Sequence, residues 1–457
     1  MRAELFSLVK DVTFAGSHNP DDLHDESLHL REREPLAVAR PRSTEEVAAL
    51  VRWAARNDIP ITPRGSGTGL SGGAVPVNGG LVIAFDLMRD VLSVNERDHV
   101  AVVQAGITLR ELNEALAGTG LHYPVYPGEL SGSLGGNVNT NAGGMRAVRH
   151  GVTRQHVLGL EVVLADGTVM KTGGPVMKTS SGYDLTQLII GSEGTLAMVT
   201  EVTLKLSPVL PHSATLLVPF ADVHDVASVV PNLISSGLFP SLLEYLDSTT
   251  LNALQGSSDL RLGVNPVIAE QSSAYLIVVL ETRTREQLDA DVEAAADIVG
   301  EAGALDVYVL EGSPATQLIQ ARERMFWVSK AAGANEIIDV VVPRSTVPVF
   351  LEKVKALGDE YGAYIPGCGH VGDGNVHLSV FLPDEDKREE LLLQLFQAGV
   401  ELGGAISGEH GLGLDKRDVY LALTDPALVD LQRRIKSVFD PQGLFNPYRH
   451  IDERHDD

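Results

Sequence analysis

Two glycine-dense stretches constrain this chain more than any other feature. Pro63-Arg-Gly-Ser-Gly-Thr-Gly-Leu-Ser-Gly-Gly73 carries glycines at 65, 67, 69, 72 and 73, and Gly132-Ser-Leu-Gly-Gly-Asn-Val-Asn-Thr-Asn-Ala-Gly-Gly144 carries them at 132, 135, 136, 143 and 144. So bare a backbone is a poor helix or strand interior, but its uncovered N–H groups suit a phosphate ester. Ser66, Thr68 and Ser71 add hydroxyl donors, and Arg64 adds one positive charge. The first loop is neither GxxxxGK[ST] nor a GxGxxG opening a helix, because Leu81 to Phe85 after it reads as a strand. ATP and NAD sites are therefore disfavoured. A flexible surface turn is the bland alternative. The second cluster, led by Pro127-Gly-Glu-Leu-Ser131, weighs against it, since two such loops can cradle a diphosphate from both sides.

A chain of 457 residues has room for two or three domains. Its net charge of −25 makes nucleic acid and anionic membranes poor partners, so an acidic substrate needs a local positive centre. The single cysteine, Cys368, leaves no internal disulfide and no cysteine-held iron–sulfur cluster, and reads as a small buried residue. The first ten residues include Glu4 and lack a long apolar run, so no signal peptide is expected. No window is long and apolar enough for a transmembrane helix. A cytoplasmic protein is the expectation.

Along the chain, residues 1–34 read as a polar N-terminal arm with a short helix. The capping pattern Ser43-Thr-Glu-Glu46 predicts a helix over 44–57, followed by a strand at 59–62. Further strands are expected at 100–104, at 202–206 and in a hairpin spanning 158–171, with Thr108 capping a helix that ends near Gly118. Pro208 to Pro211 marks a boundary. Beyond it the order strand 214–220, helix 222–236, strand 242–246, then strand 275–280, helix 284–303, strand 305–310 predicts an antiparallel sheet backed by helices. Helices at 316–332, 347–360, 385–402 and 425–438 complete the chain.

The second informative region is Gly367-Cys-Gly-His-Val-Gly-Asp-Gly-Asn-Val-His-Leu-Ser379. Turn chemistry at Gly372 to Asn375 makes Val371 and Val376 the flanking pair of a hairpin and sets His370 opposite His377. Directly opposed side chains stand about 4.5–5.5 Å apart at Cβ, close enough for two imidazoles to share a metal ion. The alternative is a turn-flanking pair satisfied by backbone carbonyls. Ser407-Gly-Glu-His-Gly-Leu-Gly413 offers Glu409 as a third ligand and His410 as a free base, because neighbours in extended backbone point apart. Nothing in the sequence brings these two segments together.

Taken with Ile190-Gly-Ser-Glu-Gly-Thr195 and Phe439-Asp-Pro…Phe445-Asn-Pro447, these motifs resemble the vanillyl-alcohol-oxidase superfamily of flavoproteins. Within it they resemble the branch of D-lactate dehydrogenases, glycolate oxidase flavoprotein subunits and D-2-hydroxyglutarate dehydrogenases, in order from about residue 35 to 450. The resemblance implies an α+β chain. A two-subdomain p-cresol-methylhydroxylase-type FAD-binding domain would span 35–210, and an antiparallel-sheet cap with a C-terminal helical segment would span 211–450. It implies that FAD is held by Arg64, Gly65, Ser66, Gly67, Thr68 and Gly69 at the diphosphate, and by Pro127, Gly128, Ser133, Gly135, Gly136, Asn139, Asn141 and Gly143 along the second loop. Glu193, Gly194 and Val199 would lie near the adenine and ribose, and Asn446 would return to the flavin. Relatives often have Pro-x-Asp where Pro127-Gly-Glu129 stands here. Members that attach the flavin covalently through the first loop have a histidine in it; none lies between 61 and 73, so the FAD should be noncovalent.

The same resemblance implies a divalent ion, zinc or manganese, on His370, His377 and Glu409, with His410 as the base titrating near an ordinary histidine. A 2-hydroxy acid would become a 2-oxo acid with its hydride on flavin N5. Arg322 matches a carboxylate-binding arginine of the 2-hydroxyglutarate enzymes, with Arg344 as an alternative anchor and a solvated helix face as the bland reading of Arg322 and Arg324. Phe326 and Ile337 replace polar residues of that branch, which favours D-lactate, glycolate or a longer apolar acid over a dicarboxylate. Electrons would leave to an external acceptor such as a quinone, a cytochrome or an electron-transfer protein, with a homodimer or partner subunits and peripheral membrane association as further expectations. Two other readings are a flavin subunit of a larger membrane-associated complex, and a superfamily enzyme of phenol or ether-lipid chemistry that needs no metal.

Overall fold

The computed structural model describes residues 1–29, 31, 33–257 and 260–452. The N-terminal half holds two larger sheets and a two-stranded one, Leu121–His122 with Ser207–Pro208. In the first, Leu81–Ala84 lies between Ala37–Ala39 and Ile61–Arg64 in parallel pairing, and Val12–Phe14 joins antiparallel at the far edge. The second is antiparallel, in the order Val91–Asn95, Val100–Gln104, Met198–Lys205, Val157–Val163, Val169–Gly173. The helix Thr44–Asn57 forms as expected: Ser43 caps it, accepting from Glu46 N–H at 3.4 Å, and Leu50, Val51, Trp53 and Ala54 turn into the core.

The N-terminal segment is less loose than its polarity suggests. Its helix Arg2–Leu8 buries Leu5, and Phe14 sits in the same core as Trp53. The strand expected at 59–62 lies at Ile61–Arg64. The shift follows from the C-terminal segment: Ile61 N–H donates to Leu444 and Ile61 accepts from Asn446 N–H, both at 2.7 Å.

The C-terminal half is one seven-stranded antiparallel sheet. Its order is Tyr308–Leu310, His212–Phe220, Ala274–Thr282, Leu242–Asp247, Gly367–His370, Asn375–Val380, Glu336–Val341. The edge strand is shorter than the 305–310 expected, and the helix expected at 316–332 is two helices, Ser313–Glu323 and Met325–Ala331, meeting at Arg324. The strand Glu336–Val341 carries Ile337.

Strand alternation divides the sheet's chemistry by face. Leu243, Tyr245, Ile338, Val340, Val376 and Leu378 share a core with the helices Val223–Ser235, Arg285–Glu301, Val347–Tyr361 and Glu385–Glu401. Their neighbours Glu244, Asp339 and His377 therefore face the opposite way, toward the N-terminal half. The polar residues of three strands are thus collected on one surface.

Candidate active site

Between the halves lies a cavity of about 610 Å³, within the range of small-molecule and cofactor sites. Both glycine-rich segments line it, together with the sheet face just described. From Ser66 to Leu70 no backbone N–H donates to an acceptor among the described residues, which leaves a row of donors facing the cavity, as a phosphate cradle requires. Two of the glycines leave no room for a side chain: a Cβ on Gly65 would collide with Ser133 Oγ, and one on Gly135 would lie 2.8 Å from Ala105 Cβ. Gly67 also has φ +75°. The buried Asn137 Nδ2 and Asn446 Oδ1, both on the cavity wall, lack a partner within the protein. This donor set fits a dinucleotide diphosphate and a polar ring edge.

Of the residues expected at the cofactor, Arg64, Gly65, Ser66, Gly67, Thr68, Gly69, Pro127, Gly128, Ser133, Gly135, Gly136, Asn139, Gly143, Glu193, Gly194, Val199 and Asn446 line the cavity. Asn141 is not among the lining residues. It caps the helix Leu134–Thr140 with left-handed backbone, and its Oδ1 accepts from Arg154 N–H at 3.0 Å. The Arg64 charge is also not free for phosphate, because its guanidinium donates to the main-chain oxygens of His24 (2.6 Å) and Asp21. Glu193 serves as a clamp between the halves. Its carboxylate accepts from Leu412 N–H and Gly413 N–H at 2.7 Å each, fixing the segment that carries His410. Asn446 Nδ2 donates to the Glu193 carbonyl at 2.7 Å.

The histidine hairpin forms, but its register differs from the expected one. His370 pairs with Asn375 and His377 with Cys368, so the turn is Val371 to Gly374 and the histidines are diagonal neighbours. A register shift of two residues preserves the face, whereas a shift of one would have separated them. Their rings lie 4.8 Å apart between centroids. The loop 407–413 does reach them: Glu409 Oε1 is 3.1 Å from His370 Nε2 and 3.3 Å from His377 Nε2. One ligand atom from each of the three lies within 4.8 Å of the others, the only such group found among the described residues. Two imidazoles and a carboxylate suit zinc or manganese.

Two buried carboxylates, missed in the sequence, organise this cluster. Glu244 lies next to His370 across the strand pair, with Oε1 2.5 Å from His370 Nδ1 and Oε2 2.8 Å from Arg322 Nη2. It thereby directs His370 Nε2 toward Glu409, the arrangement that prepares a histidine for ligation. Burial alone would lower the His370 imidazole, yet Glu244 and Glu409 hold it well above the usual histidine range. Asp339 pairs with His377 across the next strand. It accepts from Gly408 and Glu409 N–H at 2.7 Å and from His410 N–H at 3.1 Å, and its other oxygen meets Lys416. Burial would raise this carboxyl, but His410 and Lys416 outweigh it and hold it below the carboxylate range.

His410 stacks on His377 with centroids 5.2 Å apart, and its Nδ1 is 3.4 Å from Asp339. Contrary to the expectation of an ordinary titration, burial pushes it down to about 4 despite the pull of Asp339. Arg322 is buried on the cavity wall, which corrects the reading of a solvated helix face, while Arg324 is exposed. The alternative anchor Arg344 is exposed beside a separate pocket with Pro231 and Asp373 and does not reach the site.

Comparison with known proteins supports an FAD-binding chain. Residues 35–173 match the FAD binding domain family and residues 210–450 the C-terminal domain of FAD-linked oxidases. The chain is 51% identical to an uncharacterized FAD-linked oxidoreductase of Mycobacterium tuberculosis, over 98% of each. It is 35% identical to a D-lactate dehydrogenase of Anaerostipes hadrus, over 96% of this chain and 94% of that one. The fold matches substrate-bound p-cresol methylhydroxylase with a TM-score of 0.81 at 17% identity, over 99% and 96% of the two chains. An α+β fold, a phosphate cradle on two glycine-rich loops and matches along nearly the whole chain lead to one conclusion: this protein belongs to the FAD-linked oxidases and is an FAD-dependent oxidoreductase.

Proposed function

We propose that the protein oxidises a 2-hydroxy monocarboxylate of the D-lactate or glycolate type to the 2-oxo acid. The observation that carries this reading is the convergence of His370, His377, Glu409 and His410 on the cavity that the glycine loops line. When bound, FAD supplies the hydride acceptor, and a divalent ion on the three ligands supplies a Lewis acid for the substrate hydroxyl. His410, neutral because it is buried, takes the hydroxyl proton, and Asp339 stabilises the imidazolium that results. Arg322 offers its guanidinium to the carboxylate. Its pairing with Glu244 keeps it fixed and partly neutralised, so it holds one carboxylate and draws a second only weakly. The 35% identity to a D-lactate dehydrogenase supports the same class.

Reoxidation is assigned to an external acceptor, in keeping with a chain whose single cysteine leaves no cluster of its own. No helix among the described residues is long and apolar enough to cross a membrane. The test is anaerobic stopped-flow reduction of bound FAD by D- and L-lactate, glycolate and D-2-hydroxyglutarate. D-Lactate should exceed D-2-hydroxyglutarate in kcat/KM, and the opposite order would overturn the reading.

A further inference from the structure

Beyond Arg322 and Glu323 the cavity wall carries a group of apolar side chains. Immediately after Arg322 the chain turns into the helix Met325–Ala331, whose Met325, Phe326 and Trp327 line the cavity. The Phe326 and Trp327 rings meet edge to face with centroids 5.2 Å apart, and Trp327 keeps 45% of its surface exposed. Ile337 adds to this wall from the strand Glu336–Val341. Together these side chains offer an apolar surface that a hydrocarbon or aryl group would bury.

Two of the cations near this wall, Lys330 and Arg64, are already engaged. Lys330, over both aromatic rings at 5.3 and 5.5 Å, is paired with Glu26 at 2.9 Å. Arg64 is held by main-chain oxygens of the N-terminal segment. Ser329 and Ser379 satisfy each other at 2.8 Å. Among the described residues lining the cavity, Arg64 is committed to main-chain oxygens and Arg322 to the first carboxylate, so a second carboxylate at the far end of a substrate would find neither free, whereas a hydrocarbon or aryl tail would find surface to bury.

We infer that the preferred substrate is a 2-hydroxy acid with an extended apolar tail, alkyl or aryl, longer than lactate. The tail lies on Phe326, Trp327 and Ile337 while Arg322 holds the carboxylate. This rests on the reading of the site as a 2-hydroxy-acid oxidase, and the experiment separates the two. The holoenzyme is reduced anaerobically by glycolate, D-lactate, D-2-hydroxybutyrate, D-2-hydroxyhexanoate, D-2-hydroxyoctanoate and D-3-phenyllactate, and kcat/KM for flavin reduction is compared. It should rise about fourfold per added methylene until the wall is covered, the gain from burying one CH₂, with phenyllactate above lactate. Values level or falling beyond D-lactate would overturn the inference and leave the class intact. Failure of every acid to reduce the flavin would overturn the class itself. Trp327→Ser and Phe326→Thr should each lower the octanoate-to-lactate ratio roughly tenfold, with FAD content as the check on folding. An unchanged ratio in both would remove this wall as the specificity determinant, and if neither variant folds the wild-type series alone decides.

Discussion

Substituting Asp339→Asn tests the construction of the site where it is most exposed to failure. The carboxylate is 0% exposed and faces Lys416, whose side chain is 7% exposed. It also receives three backbone N–H groups from Gly408, Glu409 and His410. Removing its charge leaves a buried ammonium without a counterion, and breaking such a pair from one side typically costs about 3–5 kcal/mol. Against the roughly 5–15 kcal/mol that holds a domain together, the C-terminal half should unfold at clearly lower urea. Near-UV circular dichroism and flavin fluorescence, recorded separately because two units need not melt together, would show the shift. The double variant Asp339→Asn, Lys416→Met removes both charges and should recover most of the stability. Its flavin reduction should stay slow, since His410 Nδ1 has lost its carboxylate. A single variant with the wild-type midpoint, or a double variant no better than the single, would refute the reasoning.

His410→Ala should slow flavin reduction about 10²-fold or more, the usual contribution of a positioned base, with FAD content unchanged; an undiminished rate removes the base. Because the proton-accepting form is populated above its lowered value of about 4, wild-type reduction should stay level through pH 6.5, histidine's ordinary value, and fall only on approach to 4. A fall centred on 6.5 would assign the base elsewhere. His370→Ala and His377→Ala should each lose bound zinc or manganese and most turnover while keeping FAD, and full metal content in both would dissolve the site. Glu244→Gln should weaken metal binding about 10–100-fold by chelator competition, as loss of an orienting carboxylate does; unchanged affinity would deny it that role. Acid or heat should release the flavin in free form, and flavin that stays with the precipitated chain would mean a covalent link.

The loops that need a bare backbone and the residues whose chemistry is local were legible before any folding. Glycines at 65, 67, 135 and 143, the existence of a tight turn around Gly372 to Gly374 and the Ser43 cap announce their roles through φ, sterics or hydrogen bonding within a few residues. The pairing of His370 with His377 on one face also survived an error in register, because a two-residue slip leaves the face unchanged. Glu244 and Asp339 left a trace too. Each is an acid flanked on both sides by apolar residues, in Leu242-Leu-Glu-Tyr-Leu246 and Ile337-Ile-Asp-Val-Val-Val342, and a charge cannot stay unpaired in such a place. Their partners could not be read, since Glu244 meets His370 across 126 positions and Asp339 meets Lys416 across 77. Strand order alone brings those segments together. The same holds for His410, whose low basicity comes from enclosure by both halves of the chain, and for Asn141, which turns toward Arg154. Side-chain identity and local backbone set which chemistry this chain carries, while long-range strand pairing and burial decide which groups meet, how they are charged and which face the substrate.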